Sequence, residues 1–170
     1  MKIPALLIIV AALAFAGCGS DSGGSGVSEH DDVLLEKAQN FSGAATIKAQ
    51  GSIAALQEVD FKRASRLIDQ AQSLNALGAD QIAQLDDAGI RDFFTEFTAL
   101  TLEGYRIYDA GIKAAQTGNE VLTDAFVKRT LANKKDKVEF INSTDFEAIG
   151  VGDSNEETRK SLIGQLDGGA

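Results

Sequence analysis

Tryptophan is absent from this sequence, and proline, histidine, methionine and cysteine occur once each. Each scarcity closes off a class of structure or chemistry. The lone proline is Pro4, so nothing beyond it carries the residue that most sharply breaks a helix. A single cysteine, Cys18, rules out an intramolecular disulfide. With His30 the only histidine and Met1 the only methionine, paired Glu-x-x-His motifs, a zinc-protease helix and His/Met haem ligation are excluded. No cofactor and no metal is therefore expected. Nucleophilic machinery of the Ser/His/Asp or Cys/His kind would have to draw on His30 or Cys18, and neither sits in a suitable context.

Positive charge is also in short supply. The formal charge is −9, which disfavours nucleic acid as a partner and gives no polybasic help in holding an anionic membrane. Long apolar runs are lacking too: the uncharged stretch 5–16 is about a dozen residues, where a membrane-spanning helix needs about 20. What remains is rich in alanine, leucine, glutamine and glutamate, a helix-forming composition in a chain sized for one domain.

Residues 1–17 have the anatomy of a signal peptide: Lys2 at the start, the apolar run, then small residues before Cys18. The segment Phe15-Ala16-Gly17-Cys18 resembles the lipobox of bacterial lipoproteins, in which the cysteine is lipidated through sulfur before cleavage. The resemblance covers residues 1–18 only and implies a diacylglyceryl thioether on Cys18, with the amino group acylated by a chain such as palmitate. Ala14-Phe15-Ala16 also satisfies the small-x-small rule of ordinary secretory cleavage, which would release a soluble chain with a free thiol. Lipid anchoring is the expectation, because the sole cysteine stands at the one place that lipidation requires. Residues 18–27 then form a Gly/Ser-rich tether, whose flexible stretch 19–26 spans about 15 Å, keeping the domain near the lipid surface. The sorting pattern known for some diderm lipoproteins places an inner-membrane aspartate directly after the cysteine; Gly19 there leans toward the outer membrane.

The domain at 28–170 reads as an all-α, antiparallel up-down bundle of about four main helices plus short ones. Ser28 opens the first, with Leu34, Ala38, Phe41, Ala45, Ala49, Ser52 and Leu56 inward. The second runs over about 60–77 and stops at Gly78; a short helix over 80–88 is capped by Asp80 and either closes near Gly89 or merges with the helix that follows. The third, about 90–116, carries the strongest stripe, with Ile90, Phe93, Phe94, Phe97, Thr101, Gly104, Tyr105, Tyr108, Gly111, Ile112 and Ala115 on one face. Gly118 ends it and Asn119 caps a fourth over about 120–140, whose inward residues are Val121, Leu122, Ala125, Phe126, Leu131, Ala132 and Val138, diluted by a basic run from Lys128 to Lys137 that reads as a solvated face or a dock for an acidic partner. Residues 142–153 read as loop, and Ser154 with Glu157 forms a capping box for a last short helix through Leu166.

Three functions compete. A non-enzymatic binding or structural module tethered to the membrane, partnered by an envelope protein or polymer, fits the tether and the absence of assembled reactive groups. A carrier or chaperone would hold an apolar ligand in a groove lined by Phe93, Phe94, Phe97, Tyr105 and Tyr108. A carboxylate- or metal-dependent enzyme would need Asp86 with Asp87, Glu96 with Glu103, or the cluster Glu29-His30-Asp31-Asp32, where acids at a helix start ordinarily serve the dipole instead.

Overall fold

The structure, a computed structural model, describes residues 27–118, 120–151 and 154–167; the leader, Cys18, the tether before residue 27 and the Asn119 cap lie outside them. The described residues are all-α, with α1 at Glu29–Gln57, α2 at Phe61–Ile82, α3 at Ala88–Thr117, α4 at Glu120–Ser143 and α5 at Asn155–Asp167. Local chemistry sets the boundaries. The side chains of Ser28, Asp60 and Asp87 each accept the backbone N–H three residues on, capping α1, α2 and α3. Ser154 accepts the Glu157 N–H at 3.2 Å at the start of α5, as the capping box predicts. Gly118, at φ +66°, closes α3 in the left-handed conformation.

Two expected boundaries are corrected. Gly78 does not stop α2; it lies buried inside it, where an added Cβ would sit 3.4 Å from the Ala38 carbonyl oxygen. That glycine serves close approach to α1, which also packs Ala45, Ala49 and Ala55 against α2's Ala64 and Ala71. The short helix over 80–88 does not form. Asp80 is interior to α2, 83–87 is a turn, and Asp87 rather than Asp80 does the capping.

The α1–α2 connection is a Schellman turn: Asp60 N–H donates to the Ala55 carbonyl and Val59 N–H to that of Leu56. The left-handed position is held by Val59, at φ +61° and 57% exposed. A β-branched side chain there is strained without compensating burial. Val59→Gly is expected to stabilise the protein by about 1 kcal/mol, read as a higher urea midpoint at unchanged slope; an unaltered or lower midpoint would contradict the strain.

Antiparallel neighbours follow from the contacts. Gly78 lies over Ala38 and Gly51 over Leu67 between α1 and α2; Gly104 meets Asn133 and Gly111 meets the Phe126 ring between α3 and α4. The two α3 glycines thus admit α4 closely, as their position on the apolar face predicts. The core divides in two. A lower one gathers Leu34, Ile82, Leu85, Ile90, the phenylalanines of α3, Ile141, Phe146 and Leu166. An upper one gathers alanines of α1 and α2 with Ile68, Tyr105, Tyr108, Ile112 and Phe126. Val27, expected as the end of the tether, packs against the lower core.

Candidate functional site

Between the two cores the buried residues change character. On α2 the gap between Ala71 and Ile82 is filled by Asn75 and Gly78, on α3 the gap between Phe97 and Tyr105 by Thr98 and Thr101, and on α4 the gap between Phe126 and Ile141 by Asn133 and Lys137. Thr46 of α1 borders the same level, its side chain lying beside the Tyr105 hydroxyl. The helical registers therefore stack buried polar groups into one layer across the bundle.

Two of these groups donate to backbone carbonyls of α3. Thr101 Oγ1 donates to the Phe97 carbonyl at 3.0 Å, and Asn133 Nδ2 donates to the Leu100 carbonyl of α3 at 2.9 Å. Asn75 Nδ2 is buried without a hydrogen-bond partner among the described residues. Above the layer, Ser52 donates to the Ala64 carbonyl at 2.8 Å, and the Tyr108 hydroxyl lies beside it but outside hydrogen-bonding geometry. Burial pushes the Tyr105 hydroxyl up to about 12 and raises that of Tyr108 further.

Lys137 is the unusual member. It is 8% exposed, and its Nζ lies 3.7 Å from where a Cβ on Gly104 would stand, against the backbone of α3. Asn133, one turn earlier on α4, turns Oδ1 to the same glycine at 3.0 Å. No carboxylate pairs with Lys137 among the described residues, and burial alone pushes its ammonium down to about 8. Glu103, adjacent to Gly104 in the chain, is engaged instead by Arg129 at 2.9 Å and Arg106 at 3.8 Å. Such an amine is costly to keep charged and is available as a base or nucleophile near neutral pH.

The basic run therefore divides. Lys128 is solvated, Arg129 pairs with α3, Lys135 pairs with Glu139 at 3.3 Å, and Lys137 turns inward. The expected inward face of α4 is corrected with it. Phe126, Asn133, Lys137 and Ile141 are buried, whereas Ala125, Leu131 and Ala132 are exposed and Val138 is half-buried; the side chains of Val121 and Leu122 lie outside the described ones. A face defined by contact with α3, not by hydrophobicity, is what an apolar-stripe reading misses. A lysine and an asparagine four residues apart, in register with a phenylalanine and an isoleucine, were the signal.

The five aromatic groove candidates are all buried but fall into separate cores. Phe93, Phe94 and Phe97 lie in the lower one, where Phe93 stacks on Phe140 at 5.5 Å and meets Phe146 edge-on at 5.2 Å; Tyr105 and Tyr108 lie in the upper one. With exposures of 6% or less, entry of a ligand along this stripe requires the helices to part.

Near the lower end, His30, Asp31 and Asp86 bring one ligand atom each within 4.8 Å of one another. The Asp31 carboxylate is already committed. It is buried, accepts the backbone N–H groups of Asp86 and Asp87 at 2.8 and 3.0 Å, and is held below the usual carboxylate range by those bonds, Asp86 first. Asp31 is thus the clasp that ties α1 to the turn ahead of α3, a larger task than the helix-dipole role read from its position. Asp87 itself caps α3, and Glu96 is exposed.

A depressed carboxylate contributes stability above its unfolded value of 3.8, and loses it as pH falls through the lower folded value. Asp31→Asn is accordingly expected to lower the melting temperature by several degrees at pH 7, since its amide faces one of the two donors with another donor. The gap to the parent protein should close as both are acidified below pH 3.8; a gap independent of pH would show that the charge is not what matters.

The chain matches no family model, no curated protein and no solved structure.

Proposed function

We propose that this chain is a cell-envelope lipoprotein, anchored by lipid on Cys18, whose helical bundle is a non-enzymatic binding or structural module. The observation that carries the reading is the placement of the sole cysteine directly after Gly17, at the end of the apolar leader. Two features of the domain support it. Among the described residues no helix is long and apolar enough to cross a membrane, so attachment falls to the lipid. Three of the acids that might have served chemistry are spent on architecture: Asp31 on the 86–87 turn, Asp87 on a helix cap and Glu103 on arginines. The burial of the aromatic stripe in two separate cores favours a module over a carrier of apolar ligands. A protein or polymer of the envelope is the partner class, and the outer membrane is the favoured site in a diderm cell.

Cys18→Ser is expected to move the protein from the membrane fraction to the soluble one, while the mass of the parent's first mature residue carries the acyl chains. A serine variant that stays with the membrane would overturn lipid anchoring. Turnover in a hydrolase screen, abolished by an Asp or Glu substitution that leaves the fold intact, would overturn the non-enzymatic half.

A further inference from the structure

We propose that His30, Asp31 and Asp86 form a binding site for a single divalent transition-metal ion, zinc foremost, which pins the start of α1 to the turn ahead of α3. The fold does not assemble the run 29–32 that stands out in the sequence: Glu29 and Asp32 are not part of the cluster, and Asp86 joins it from 55 residues beyond Asp31. One imidazole nitrogen and one oxygen of each carboxylate lie within 4.8 Å of one another. Ligand atoms around a tetrahedral zinc with bonds of about 2.1 Å stand about 3.4 Å apart. His30 and Asp86 are exposed, so small side-chain rotations close the difference and the ion enters directly from solvent.

The three ligands divide the work. Asp31 is buried, and the bonds it accepts from the Asp86 and Asp87 N–H groups use one acceptor position on each oxygen and leave another on each. Those bonds hold the carboxylate in one orientation, as outer-shell partners do for metal ligands. Among the described residues, neither the His30 ring nor the Asp86 carboxylate has a hydrogen bond or ion pair, so both are free to turn toward the ion. Exposed Glu29, Asp32 and Asp87 adjoin the three in sequence, and this excess of negative charge offsets the positive ends of α1 and α3. Arg91, near Asp31, donates instead to the Leu85 carbonyl at 2.8 Å. An imidazole among the ligands selects for zinc and its neighbours against magnesium and calcium, which take oxygen.

The test uses the untagged exported chain with Cys18→Ser, so that no thiol competes, stripped by chelator and titrated calorimetrically with zinc chloride. Saturable binding of a single ion per chain is expected, undisturbed by excess magnesium. His30→Ala and Asp86→Asn should each weaken it at least about tenfold, the floor set by the loss of mere outer-shell groups. Glu29→Gln, an equal loss of charge outside the cluster, should change it little. Because His30 is the only histidine, its imidazole NMR signals should shift in step with saturation. Zinc should also raise the melting temperature of the parent and not that of His30→Ala, since the ion binds the folded arrangement. No saturable binding, binding that His30→Ala leaves intact, or equal weakening by Glu29→Gln would mean an adventitious ion only and overturn the proposal. None of these results bears on the membrane anchor.

Discussion

Phe146→Ala is expected to destabilise the protein by about 3–5 kcal/mol, the range for deleting a fully enclosed aromatic ring. Phe146 lies in the 144–151 connection, outside any helix, yet it is completely buried. Its ring meets Phe93 of α3 edge-on and belongs to the core that holds Ile90, Ile141 and Leu162. The backbone around it is fastened by side chains from α5: Asn155 Oδ1 accepts the Phe146 N–H at 2.6 Å, Asn155 Nδ2 donates to Asp145 at 2.9 Å, and Arg159 donates to the Thr144 carbonyl at 2.5 Å. The ring is thus the peg by which the connection and α5 attach to the bundle. Its loss should lower hydrogen-exchange protection in α5 before it does so in α1 and α2. Phe146→Leu, which keeps most of the volume, should cost about 1 kcal/mol. A cost below about 1 kcal/mol for the alanine variant would mean that the ring is not enclosed as described.

Lys137→Met has the opposite sign. A buried ammonium brought from 10.5 to about 8 carries a penalty of roughly 3 kcal/mol in its charged form, and methionine fills a similar volume without charge. At pH 7 the variant is therefore expected to be more stable by about 2–3 kcal/mol. The pH dependence identifies the cause. Below pH 8 the lysine is protonated in both folded and unfolded chains, so the penalty is fully present and constant. Between pH 8 and 10.5 the unfolded chain holds a proton that the folded one has released, so the parent's stability rises with pH and the variant's advantage shrinks. Denaturant midpoints for both proteins from pH 7 to 9.5 should converge, the range stopping short of tyrosine ionisation in the unfolded chain, near pH 10. A constant difference would assign the gain to packing, and a destabilised variant would mean that the ammonium has a partner that offsets its burial.

How far such residues could be read in advance differs by helix. The inner face of α3 was legible almost whole, because its apolar residues recur at helical spacing and most of those marked as inward are buried; Thr98, Ile107 and Ala114 escaped notice. The caps at Ser28 and Ser154 were equally plain, since a short side chain bonding a nearby N–H is a local event. The inner face of α4 was not legible. Its buried positions 133 and 137 carry an amide and an amine, and a charge is ordinarily the mark of solvent. Gly78 misled for a related reason: a glycine that stops a helix and one that admits a neighbour look alike until the neighbour is in place.

The amino-acid sequence alone determined the helical class and two of the described helix starts, because each depends on residues within a few positions of one another. The tertiary structure alone decided that two cores are divided by a polar layer, that Asp31 clasps a turn 55 residues away, and that Lys137 faces inward without an acid. Those outcomes depend on which helix lies opposite and at what register, and that is set by the close approaches at Gly78, Gly104 and Gly111. Cys18 stands at the other extreme, a residue whose proposed role is carried wholly by its neighbours in the chain.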